Sequence, residues 1–203
     1  MFGTEPGENR RQFGFDEAVI KSFEFLRSFQ LKPAKRSATL VRYESKTVFV
    51  NVYHGRASYE IGIEVGRKSS SVKYGLDYMV ALAGPSALEA EGFGRSTMFQ
   101  VCSREGVQQI VPKVAELLRK YGDSFLRGDI RFYEQLDEAN RRASAEYAKR
   151  QLLEGVRKNA DAAWSAKHFG RVAELYGTMR DELTIIEAKR LAYAEKQTRP
   201  SSR

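Results

Sequence analysis

Only one cysteine, Cys102, and two histidines, His54 and His168, occur among the 203 residues. A single thiol cannot close an intramolecular disulfide, so nothing calls for an oxidising compartment. Neither histidine has a second ligand type at a metal-binding spacing such as HxxxH or CxxC. A lone cysteine reads as a buried, inert side chain. A Cys102–His54 nucleophile–base pair has nothing in the spacing to support it. The glycines supply no phosphate cradle: Glu91-Gly92-Phe93-Gly94 lacks both GxxxxGK[ST] and a strand–GxGxxG–helix setting. Long apolar runs are missing too. The longest, near 78–83, falls far short of the ~20 residues a membrane helix needs. The opening MFGTEPGENRRQFGFDE puts acids and glycines where a signal peptide has an unbroken apolar stretch. The expectations are a cytoplasmic protein with no membrane partner, no metal and no cofactor.

What is present is a core-forming chain, 42% hydrophobic and 30% charged, with a net charge of +8. The excess concentrates in residues 31–68, which hold 8 basic and 3 acidic side chains. Even there the charges are scattered and form no block.

Residues 1–13 are polar and contain Gly3, Pro6 and Gly7, which suits a flexible arm. Phe15, Val19, Phe23 and Leu26 recur at helical spacing, with Phe29 extending the stripe and Pro33 ending it. The period then drops to two. Val48, Val50 and Val52 alternate with Phe49, Asn51 and Tyr53. Tyr59, Ile61, Ile63 and Val65 alternate with Glu60, Gly62 and Glu64. A shorter strand at 39–44 precedes both, and the connections are of hairpin length, which places His54 in a turn. The expected fold class is α+β: an N-terminal helix 15–30 packed on a three-stranded antiparallel meander, followed by a mostly helical C-terminal half. Residues 66–75 read as a polar loop with room for a fourth short strand, and 74–83 as a short helix. The stripe Val107, Val111, Val114, Leu117 and Leu118 is a strong amphipathic helix. Pro112 inside it either kinks the helix or marks the start of a shorter one. Helices at 129–166, 169–179 and 184–196 follow. The domain expectation is an arm at 1–13, an α+β domain at 14–128, a helical extension at 129–197 and a disordered tail at 198–203.

Each candidate surface has an ordinary structural counterpart. Glu138, Arg142, Glu146, Arg150, Glu154 and Lys158 alternate in sign at every fourth position. That is the pattern of a self-supporting solvated helix, each pair contributing about 0.2–0.5 kcal/mol, and its acids cancel any phosphate-tracking stripe. Arg42, Phe49, Tyr53, Glu60 and Glu64 look away from the aliphatic sheet face. Aromatics among charges suit a partner-binding surface; alternatively, helix 107–125 covers them. As an acid–base pair Glu60 and Glu64 fail, since four strand residues separate them by ~13 Å. Lys32, Lys35, Arg36, Arg42, Lys46, Arg56, Arg67 and Lys68 are the cations available for sequence-nonspecific nucleic-acid binding. Between 160 and 196, small residues alternate with bulky ones as in a tightly packed helical hairpin. A tetratricopeptide array needs about three repeats, and no second copy is present, so the hairpin reads as a docking element.

The order of these segments carries a resemblance. A Phe-rich first helix, a meander reading LVRYES…VFVNVYHGRASYEIGIEVG, the stretch LRKYGDSFLRGD and a closing AAWSAKHFGRVAELYGTMRDELT…EAKRLAYA span Phe15 to Ala194. Together they resemble a family of small uncharacterised bacterial α+β proteins with a C-terminal tetratricopeptide-like hairpin, a build shared by immunity partners of secreted toxins. The typical Trp-Leu-Gly-Tyr repeat order is absent. The resemblance implies a bacterial source and a non-enzymatic role, and it brings no catalytic residues. The resulting expectation is a protein–protein interaction module, with nucleic-acid binding as the alternative and a dispersed catalytic site left open.

Overall fold

The computed structural model describes residues 8–93 and 99–199. The aromatic stripe near the start folds in two pieces. Helix α1 runs Phe15–Ser22 and a 3₁₀ helix Glu24–Phe29 follows it. Together they sink Phe15, Val19, Phe23 and Leu26 completely. The expected stop at Pro33 moves upstream. Gln30 takes a left-handed conformation (φ 61°) and returns its N–H to Leu26 and Arg27. This frees Pro33 to lie within a strand.

The sheet has five antiparallel strands in sequence order, two more than the three-stranded reading. They are β1 (Lys32–Ser37), β2 (Leu40–Glu44), β3 (Val48–His54), β4 (Ile61–Arg67) and β5 (Lys73–Gly75). β1 gives no periodic signal because every one of its six residues is exposed. It is held by its backbone ladder with β2, interrupted between Pro33 and Lys35, and by the Arg36–Asp16 pair. Pro33 and the cations Lys32, Lys35 and Arg36 blunt this edge against further strand pairing. Register places Val41 opposite Val52, Val50 opposite Val65, and Val52 opposite Ile63. This aliphatic face is the floor of the core. Tyr59 does not join it: at φ 55° it stands outside β4, which starts two residues later.

Tyr74, expected in a helix, ends in β5, and α2 (Leu76–Leu82) begins after Gly75. Pro85 opens a further short helix, α3 (Pro85–Ala90). Of the two glycines in Glu91-Gly92-Phe93-Gly94, Gly94 lies outside the described residues. Helix α4 (Arg104–Tyr121) is unbroken. Ser103 caps it by accepting from the Gly106 N–H at 3.1 Å. Pro112 sits on its solvent side, as does Gln108, the residue whose carbonyl loses its helical donor there. Val107, Val111, Val114, Leu117 and Leu118 join the same core as α1 and the aliphatic sheet face. α4 therefore does not cover the outer face of the sheet. Helix α5 (Asp123–Arg127) ends at Gly128, whose φ of 82° suits glycine.

The chain divides into two compact units, residues 1–140 and 141–203. Helix α6 (Ile130–Ser165) contributes to each. In the first unit Leu136 and Tyr133 complete the core. Asp137 there accepts from Arg67 at 2.8 Å and from the Tyr74 hydroxyl. Burial, reinforced by that carboxylate, pushes the Tyr74 phenol up to about 12. In the second unit α7 (Phe169–Gly177) and α8 (Ile185–Thr198) form the hairpin. Their core mixes Ala160, Ala163 and Ala194 with Val172, Leu175, Tyr176 and Leu191. The small residues permit close helix approach. A capping box fixes the start of α8: Glu187 accepts from the Thr184 N–H at 2.7 Å, and the Thr184 hydroxyl accepts from the Glu187 N–H at 3.3 Å. Residues 141–150 of α6 are exposed throughout.

Residues 8–13, read as part of a flexible arm, form a 3₁₀ helix that anchors Arg10 in the first unit. His54, expected in a turn, instead ends β3 and is 1% exposed. The segment 198–203 starts at the last residue of α8, and residues 200–203 lie outside the described range. Among the described residues no helix is long and apolar enough to cross a membrane.

Candidate functional site

Strand alternation brings Arg42, Phe49, Tyr53 and Glu64 to one face, opposite the aliphatic side. Glu60 lies just before β4 and bridges to Gln100. The face is closed on itself. Phe49 is only 5% exposed. Its ring crosses Gly66, where an added Cβ would meet the ring carbon at 2.4 Å. The Arg42 guanidinium sits 4.0 Å above that ring. Tyr53 lies over Gly62 in the same way. A ladder of polar contacts then crosses the strands. Lys68 reaches Glu44 at 2.8 Å, Glu44 holds Arg42 at 2.5 Å, and Arg42 donates to Asn51 at 3.1 Å. Asn51 donates to Glu64 at 3.2 Å, and Lys73 pairs with Glu64 at 2.9 Å. Hydrogen bonds from Lys68 and Arg42 hold the Glu44 carboxyl below its ordinary range. Burial first, then the acids Glu60, Glu64 and Asp77, raises the Tyr53 phenol. The donors and acceptors of this face are thus largely spent on each other.

The basic residues do not converge on one track. Arg36 pairs with Asp16 at 2.7 Å, Arg67 with Asp137, and Lys68 with Glu44. Lys32 and Lys35 stand on the β1 edge. Lys46 and Arg56 lie in connections at opposite ends of β3, roughly 20 Å apart at strand rise.

His54 is not free to act as a base. Its Nε2 donates to the Val101 carbonyl at 2.7 Å, and one guanidinium nitrogen of Arg10 lies 3.3 Å from both ring nitrogens. Phe13, Phe15 and Tyr59 ring it at 5.6–6.0 Å. Cys102, expected to be buried, is exposed. His168 stands at the N-terminal cap of α7. Among the described residues no cluster of three or more His, Cys, Asp or Glu could hold a metal.

The second unit offers a different surface. Helix α6 ends in a Schellman turn: the Lys167 N–H returns to Trp164 at 3.0 Å and the His168 N–H to Ala163 at 2.9 Å. The turn brings Trp164 against Phe169 of α7 and Tyr193 of α8. The three rings meet edge to face, with centroids 5.3–5.7 Å apart. They floor a cleft of about 660 Å³, rimmed by Ile186, Lys167, Lys189 and Arg190. Arg190 lies over Trp164 at 5.3 Å and pairs with Asp161 at 2.6 Å. Ile185 and Ile186 are 78% and 67% exposed at the start of α8. Trp164, Phe169 and Tyr193 all lie in the 160–196 stretch expected to pack as a helical hairpin. Residues so far apart in sequence meet only once the turn at Lys167 is known. The one local signal was the pair Ile185-Ile186, two large aliphatics ahead of a charged stretch. Comparison with protein-family models, curated proteins and solved structures finds no match to this chain.

Proposed function

We propose that this chain is a protein–protein interaction module, with the aromatic cleft of the helical hairpin as its docking surface. The observation that supports it is the exposure of Ile185, Ile186 and Tyr193 beside that cleft. Large apolar side chains are expensive to leave in water, and Trp and Tyr anchors dominate interface energetics. The immunity-like build suggests a mechanism in which the module occludes a partner's working surface by binding it, with no chemistry of its own. Arg42, Phe49, Tyr53, Glu60 and Glu64 are the lesser candidate surface, because Phe49 is buried, Arg42 is tied to Glu44 and Asn51, and Glu64 is tied to Asn51 and Lys73. Nucleic-acid binding loses ground for a related reason: Arg36, Arg67 and Lys68 are committed to carboxylates.

The test is capture from the native cell, with nuclease present, by the wild-type chain and by an Ile185→Asp/Ile186→Asp variant. Acidic residues suit the first turn of a helix, so the variant keeps its melting temperature. It loses the wild type's stoichiometric partner at least about tenfold. Equal recovery of that partner by both proteins rejects the cleft as the docking surface.

A further inference from the structure

We infer that the cleft takes an acidic peptide segment carrying one bulky apolar anchor, and that Lys167 is a specificity-determining residue for it. This rests on the interaction-module reading above and names the chemistry of the partner.

The floor sets the anchor. Trp164, Phe169 and Tyr193 already pack edge to face, and the face of Trp164 carries Arg190. A nucleobase needs a free flat face to stack on, whereas a concave apolar floor beside Ile186 suits a Leu, Phe or Trp side chain.

The rim sets the charge. Three cations line the cleft and no carboxylate does. Neighbouring acids are engaged elsewhere: Glu187 with Arg157, Glu195 with Arg180, Glu174 with Arg171. Asp161 offsets Arg190. Among the described residues neither Lys167 nor Lys189 has an acidic partner. Two unneutralised ammonium groups beside an apolar floor attract carboxylates.

The backbone singles out Lys167. It occupies the left-handed position of the Schellman turn, φ 57°, where glycine is the favoured residue. A lysine there makes the turn less stable than glycine would. What the side chain adds in exchange is an exposed positive charge at the lining of the cleft.

The experiment selects random dodecapeptides displayed on phage against the full chain, then titrates the best of them. The expected set is rich in Asp and Glu around one large apolar residue. Its affinity falls as salt rises from about 50 to about 500 mM, and Lys189→Gln weakens it about 3–5-fold. Lys167→Gly weakens it similarly while raising the melting midpoint by about 2–4 °C, a pair of opposite changes that a purely structural lysine would not give. Neutral or basic winners, tighter binding of an oligothymidine, or a Lys167→Gly variant with unchanged affinity each overturn the inference. Neutral or basic winners that still fail on Ile185→Asp/Ile186→Asp leave the docking surface standing. Failure of the capture comparison removes the surface itself.

Discussion

Truncation of Phe49 to alanine lowers the stability of the first unit by about 3 kcal/mol, and urea unfolding followed by circular dichroism reads the loss. The ring is 5% exposed although it lies on the outer face of the sheet. It covers the Gly66 backbone below and carries the Arg42 guanidinium above. Removing it exposes both and leaves Arg42, which also ties Glu44 to Asn51, without its platform. Tyr53 is only half-buried over Gly62, so Tyr53→Ala costs less, about 1 kcal/mol. A Phe49→Ala loss under about 1 kcal/mol would mean that the ring is not a structural cover, and the outer face would return as the leading docking surface.

Arg10→Met is the second large effect, a loss of about 2–4 kcal/mol. Arg10 is a cation at 5% exposure. It donates to the Gly55 carbonyl at 3.0 Å and to the Arg56 carbonyl, and its guanidinium lies 3.7 Å from the Tyr59 ring centre. Methionine fills the volume but abandons two carbonyls and the contact of the guanidinium with the His54 ring. Relief from holding a charge out of water offsets part of the loss. The same cluster makes the first unit sensitive to pH. Burial chiefly, with the Arg10 charge adding to it, lowers the His54 pKa below 6.5, against the opposing hydrogen bond to Val101. The folded chain therefore takes up the proton at lower pH than the unfolded one. Stability is full above pH 6.5 and falls as pH drops from 6.5 toward the folded value. His54→Gln flattens that slope between about pH 5 and 6.5, a window above the ordinary range of carboxylate titration. His168 is common to both proteins, so the difference between the two slopes isolates His54.

Elements that bury a periodic face were legible in the sequence. The aliphatic alternation of β3 and β4, the stripe of α4 and the helices of the C-terminal half all sit where their spacing put them. β1 was hidden because a strand exposed on both faces leaves no period, only a backbone ladder. The two-part first helix was hidden because its apolar stripe continues across the change of helix type, and Gln30 gives no compositional warning of its left-handed turn. Phe49 read as an outward aromatic, correctly in direction. Its burial could not be read, because it depends on Gly66 lying directly across the strand pair. The cleft was the least legible feature. Its aromatic residues looked like core, and only the turn at Lys167 decides that their edges open to solvent.

The most direct measurement of the central claim places a photo-crosslinking amino acid at Ile186, and separately at Tyr53, in the full chain within its native cell. The account predicts one protein adduct of defined mass from Ile186, resistant to nuclease, and none of comparable yield from Tyr53. An adduct from Tyr53 alone, or adducts from Ile186 that vanish with nuclease, would contradict it.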